Sequence, residues 1–270
     1  MRWGNTAGWA TFMVTLAAFN NAYAGAWTAE KGGSYNKLSV NYYRSDSAFG
    51  PQPGFEEFED INITYYGEYG IRNDLTVFGS IPFRRIENTS FGQTAVNGGI
   101  GDVEVGLRYR LVEKPFVASA QVIFKAPYLY NRNNALPLGN GQEDIELRLL
   151  GGKSLGRFGY VGAEVGYRFR FEAPSDEFRY LIEYGVDVNK AIYLRSKLDA
   201  IVAIDSTSSA PNVLGGNPQV PLAFNLGRVE TTAGWRINKR FAAEFTATTN
   251  PFGDNIIRGT TYQFALVASF

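Results

Sequence analysis

The 270-residue chain contains no cysteine and no histidine. Without cysteine there is no disulfide framework and no thiolate metal site. Without histidine the commonest general base and transition-metal ligand are missing, and the serine- and water-activating chemistries of membrane lipases and proteases lose their base. Paired acids such as Asp144 and Glu146 lie two apart on one strand face and read as neighbours in a polar row rather than as an acid–base pair. No enzyme, cofactor or metal site is therefore expected. An excess of one charge is also lacking: 26 basic and 26 acidic residues are interspersed, which leaves no basic stripe for nucleic acid. Gly98-Gly99-Ile100-Gly101 is followed by no helical pattern and is not a phosphate loop.

Long hydrophobic runs are scarce too. One apolar stretch, residues 7–19, follows Met1-Arg2, ends at Asn20-Asn21 and is succeeded by the small-residue pattern Ala22-Tyr23-Ala24. Residues 1–24 are thus expected to be a cleaved export signal, with the mature domain covering 25–270. The stretch is too short to anchor the chain as a membrane-spanning helix, and nothing beyond Gly25 approaches the length such a helix needs.

What the chain does have is alternation. Leu38, Val40 and Tyr42 alternate with Lys37, Ser39 and Asn41; Val103, Val105, Leu107 and Tyr109 with Glu104, Gly106, Arg108 and Arg110; Val161, Ala163, Val165 and Tyr167 with Glu164, Gly166 and Arg168. The pattern recurs to Phe270 and predicts about twelve strands of roughly ten residues, the length a tilted strand needs to cross hydrocarbon. Short links at 72–74, 112–115, 152–156, 190–191 and 238–240 alternate with mostly longer polar stretches at 44–57, 84–101, 127–142, 172–176, 205–219 and 250–259. Aromatics crowd the ends of the apolar rows, among them Tyr69, Tyr109, Phe116, Phe169, Phe178, Trp235 and Phe241, as interfacial girdles do. The expected fold class is all-β: a transmembrane antiparallel up-and-down barrel with short periplasmic turns and long extracellular loops, in the outer membrane.

The mature start Gly25-Ala26-Trp27-Thr28, then Lys31-Gly32-Gly33, then Tyr42-Tyr43-Arg44-Ser45-Asp46-Ser47-Ala48-Phe49, resembles XagA-type outer-membrane proteins, related to the channel group named for the MetA pathway of phenol degradation. The resemblance implies either transport of small organic compounds or an accessory role beside exopolysaccharide and biofilm genes. It implies no list of functional residues.

With the apolar rows facing lipid, the polar rows line an enclosed lumen. The expected pore-lining residues are Glu104, Arg108, Lys125, Glu146, Arg148, Glu164, Arg168, Arg170, Arg179, Glu183, Arg195, Lys197, Asp199, Glu230 and Glu244, with Glu68, Arg110, Asp144, Asp187, Arg228 and Arg236 on the same rows. On neighbouring strands Arg148 is expected to face Glu164, and Arg168 to face Glu183. Such charges either form a selective channel or stitch a barrel shut through cross-strand pairs. The two functions that follow are passive passage of small hydrophilic or amphipathic organic solutes, and a non-conducting envelope barrel serving exopolysaccharide export or biofilm adhesion. The stretches 49–58 and 128–141 are expected to be solvated loops. Outer-membrane lipid and lipopolysaccharide, the barrel-assembly machinery reading the strand that ends at Phe270, and a small-molecule solute are the expected partners.

Overall fold

A computed structural model describes residues 25–171, 174–205 and 216–270. The export signal expected over 1–24 and most of the stretch 205–219 lie outside them. Thirteen strands follow in chain order: β1 (Ser34–Phe49), β2 (Phe55–Arg72), β3 (Leu75–Ser90), β4 (Gln93–Ile100), β5 (Val103–Val112), β6 (Val117–Ala126), β7 (Asp144–Ser154), β8 (Tyr160–Arg170), β9 (Glu177–Asp187), β10 (Ile192–Ala203), β11 (Asn225–Arg236), β12 (Phe241–Asp254) and β13 (Ile256–Ser269). Each pairs antiparallel with its neighbours, and β1 pairs with β13 from Tyr35↔Ser269 to Phe49↔Ile256, so the sheet closes on itself. Twelve strands make the barrel. The thirteenth, β4, pairs only with the far half of β3, over Phe83↔Ile100 to Ser90↔Gln93, while the near half of β3 pairs with β5.

The alternation sets the side of the wall on which each residue falls. Leu107, Val165 and Phe264 are exposed at 43, 42 and 65%, whereas Arg108 and Arg168 are exposed at only 4 and 7%. A soluble barrel would reverse those numbers. The exposed aromatics form two belts: Tyr69, Tyr109, Phe116, Trp235 and Phe241 at the end bearing the short turns, and Phe83, Phe169 and Phe178 at the other. Among the described residues no helix is long and apolar enough to cross a membrane; the strands make the crossing.

The loop end departs from the expectation of long irregular stretches. Residues 44–57 are largely strand, because β1 runs to Phe49 across a bulge at Ser45/Ser47 and β2 resumes at Phe55. Residues 84–101 form the β3–β4 hairpin, turning at Phe91 and Gly92, both at positive φ. Over residues 250–259 β12 runs on along β11 to Asp254 and β13 starts at Ile256 along β1, with Asn255 at φ 60° between them. Above the bilayer the outward face of a strand is wet, so these extensions lack the sustained apolar alternation of the crossing segments.

Arginine at Leu149, exposed midway along β7, is expected to cost about 2–4 kcal/mol of stability against lipid, while phenylalanine there costs little. Urea unfolding titrations in phospholipid vesicles measure the difference.

Candidate functional site in the barrel lumen

The inward rows meet in two unlike walls. From β5 to β11 the wall is ionic, and register dictates its pairs. Glu146 stands opposite Arg168, and Asp144 opposite Arg170 on one side and Lys125 on the other. Glu146, almost wholly buried, accepts from Arg148, from Arg168 at 2.6 Å and from Arg179 at 3.2 Å. Asp144 pairs with Lys125 at 2.7 Å and with Arg168 at 3.5 Å, and Arg168 reaches Glu104 at 3.0 Å. Arg170 pairs with Glu177, and Asp199 with Arg228. Lys197 bridges Glu183 at 3.5 Å and Glu230 at 3.4 Å, its cross-strand partners on β9 and β11. Glu244 accepts from Lys37 at 2.7 Å, with Arg195 at 3.6 Å.

All fifteen residues named from the sequence therefore point inward, and each is held by an opposite charge. Arg148 meets Glu164 at 2.8 Å as expected. Arg168 does not meet Glu183: register sets Arg168 opposite Glu177, and Glu183 opposite Gly162, six residues further along β8, where Tyr160 donates to Glu183 at 2.6 Å. Arg110, Asp187 and Arg236 lie at the turn rim, Arg236 pairing with Asp187 at 2.6 Å.

The other wall, on β1, β2, β12 and β13, is neutral between Lys37, Glu68 and Glu244 toward the turn end and Asp60 toward the loop end. Gln263 Nε2 donates to Asn41 Oδ1 at 2.6 Å, and Asn41 Nδ2 to Asn62 Oδ1 at 2.7 Å, so an amide chain crosses three strands. Thr64 adds a hydroxyl donor to Asn62 Oδ1 at 3.0 Å. Reasoning from charge alone passed over this wall; the polar row containing Asn41, Asn62 and Thr64 was its only trace.

Both ends are obstructed. At the turn end, residues 25–29 fold into the lumen, while Glu30, Lys31 and Gly32 are exposed. Ala26, Thr28 and Ala29 are buried; Ser119 donates to Ala26 O at 2.6 Å, Arg108 Nη1 to Trp27 O at 2.9 Å, and Ala29 N to Thr76 Oγ1 at 2.8 Å. Arg108 is itself fixed by Glu68 at 3.2 Å and Gln121 at 3.1 Å. Trp27 packs edge-on to Tyr160, 5.9 Å between centroids, over Gly152, where any Cβ would strike the indole.

At the loop end the segment expected to be solvated turns inward. Leu136 and Leu138 are buried against Tyr43, Phe58, Ile86 and Ile257 on the opposite wall. Asn97 Nδ2 donates to Leu136 O at 2.8 Å, Arg84 Nη1 to Leu138 O at 2.9 Å, and Asn217 Nδ2 to Pro137 O at 2.7 Å. Tyr130 latches the segment, donating to Asp102 Oδ1 at 2.7 Å and accepting from Gly141 N at 2.8 Å. Burial and the adjacent Asp102 carboxylate raise the Tyr130 phenol well above its ordinary range, which keeps it a donor at neutral pH. The two leucines fold inward because backbone carbonyls on either side find donors there while their side chains leave water.

Solved structures of low sequence identity share this architecture. An outer membrane channel from Pseudomonas putida F1 aligns over 92% of this chain and 99% of its own, with 16% identity and a TM-score of 0.74. The fold is that of outer-membrane barrels. The NanC porin aligns over 86% of this chain and 98% of its own at 9% identity with a TM-score of 0.56, and the translocator domain of the autotransporter NalP from Neisseria meningitidis over 91% of each at 9% and 0.55. No family model matches the sequence, and a comparison with curated proteins finds no match.

Glu146→Gln removes the acid shared by three arginines and is expected to destabilise the barrel by about 3 kcal/mol, because their charges stay buried. The urea midpoint in vesicles reads this. Tyr130→Phe should leave that midpoint nearly unchanged and make residues 127–143 more susceptible to protease in folded protein, read by limited proteolysis.

Proposed function

We propose that the chain is a passive outer-membrane channel for small hydrophilic or amphipathic organic solutes, its charged wall orienting the solute. One observation carries the reading: a lipid-facing exterior encloses a lumen lined by polar and charged side chains, with a cavity of about 540 Å³ in its loop-end half. The Pseudomonas putida neighbour is described as an outer membrane channel and the second neighbour as a porin, which supports it. The fifteen inward charges are assigned as pore lining. The resemblance of residues 25–33 and 42–49 supports a XagA-type relation within the wider channel group. The barrel sits in outer-membrane lipid and lipopolysaccharide, inserted by the assembly machinery through the strand that ends at Phe270.

Passage requires two elements to yield, Leu136 and Leu138 at the loop end and, at the turn end, the segment 25–29. Its hold consists of a few hydrogen bonds and one indole, a smaller barrier than breaking the ion-pair wall. The second reading, a non-conducting envelope barrel linked to exopolysaccharide export or adhesion, is favoured by the obstruction at both ends.

Planar bilayers separate the two. Wild-type protein is expected to give small conductance steps in KCl, and removal of residues 25–30 to enlarge them severalfold. Arg168→Ala and Arg195→Ala are expected to shift the reversal potential in a KCl gradient toward cation preference, since each deletes a fixed lumen cation. Silence of wild type and truncated protein alike selects the non-conducting reading.

A further inference from the structure

The cavity in the loop-end half of the lumen is chemically unlike the rest of the interior. It is bounded by the amide chain Gln263–Asn41–Asn62, by Thr64 and Thr248, and by Tyr43 at its outer edge. The charged groups that reach it are already matched: Asp60 with Arg84, Asp199 with Arg228, and Glu230 with Lys197 at 3.4 Å. An ion entering it meets no uncompensated opposite charge, and would exchange hydration for groups already engaged.

We propose that this cavity is a binding site for a neutral polyhydroxylated solute, an uncharged saccharide of about disaccharide size. A sugar hydroxyl both donates and accepts, and the side chains matched to it are amides and hydroxyls, which do the same. The amides are oriented before any ligand arrives, through the 2.6 and 2.7 Å bonds that link them across β13, β1 and β2, so little side-chain entropy is lost on binding. Tyr43, Ile256 and Ile257 line the cavity's outer edge and give it a narrow apolar margin, toward which the C–H face of a sugar ring would turn. A volume of about 540 Å³ lies within the ordinary span of small-molecule sites. Gln219, held by Arg84 Nη2 at 2.6 Å, brings one more amide from the loop end. The ionic wall explains how a barrel interior is held together; the neutral wall, with its pre-set amides and its free volume, has no such structural duty. The proposal rests on the channel reading for its biological sense, but its test does not use conduction.

Full-length mature protein folded in lauryldimethylamine oxide, a detergent without a sugar headgroup, is mixed in turn with sucrose, gluconate, choline and benzoate. Saturation-transfer NMR reads which of them contacts the protein. Sucrose is expected to receive at least fivefold more saturation than the other three, and Gln263→Leu and Thr248→Val each to cut that signal by at least threefold. Equal or stronger transfer to gluconate, choline or benzoate overturns the proposal in wild type alone, whether or not the variants fold. So does an undiminished sucrose signal in variants whose circular dichroism shows an intact barrel. Sucrose binding in a protein that stays silent in bilayers upholds the site and removes the channel reading; conduction with no sucrose binding does the reverse.

Discussion

Hydrocarbon offers no hydrogen-bond partner, so every backbone N–H and C=O within the bilayer must be satisfied by the chain itself. The pairing of β1 with β13 meets that demand, and the rest of the structure follows from it. Once the sheet is closed, one face of every strand belongs to lipid and the other to an enclosed volume. Charge that would be intolerable on the outside has one place to go. The exposure of Leu107 beside the burial of Arg108 expresses this along a single strand.

Enclosing so many charges creates a second requirement, which the strand register meets. Each acid of the ionic wall is paired with an arginine or lysine, many of them on a neighbouring strand, and Glu146 stands among three. Removing one partner is costlier than the pair is stabilising, because the survivor cannot regain its hydration. That wall is therefore rigid. The neutral wall carries fewer charges, and a cavity of about 540 Å³ in the loop-end half lies against it. Division of the lumen into a stitched half and a receptive half is the feature that joins stability to proposed transport.

Obstruction of the two ends has different physical origins. At the turn end an extended segment satisfies its backbone by bonding to side chains that point into the lumen, Arg108, Ser119 and Thr76. At the loop end two leucines leave water for a pocket of apolar side chains at the rim. The first is polar and local, the second apolar and tied down by Tyr130 and Arg84. Solute access thus depends on two independent elements rather than on the bore of the barrel.

The sequence by itself determined the strand count of the barrel, which side chains face lipid and which face inward, and that charge would fill the interior, because period two ties every residue to one of two faces. It also carried the contact of Arg148 with Glu164, which lie on adjacent strands. Only the tertiary structure decided the partner of Arg168, since a shift of register moves a charge along its neighbour without altering either strand's pattern. Only it showed β4, the inward turn of Leu136 and Leu138, and the burial of Ala26, Thr28 and Ala29. These lie where chain meets water or lumen on all sides, so no periodic pattern marks them, and their positions are fixed by contacts with residues far away in sequence.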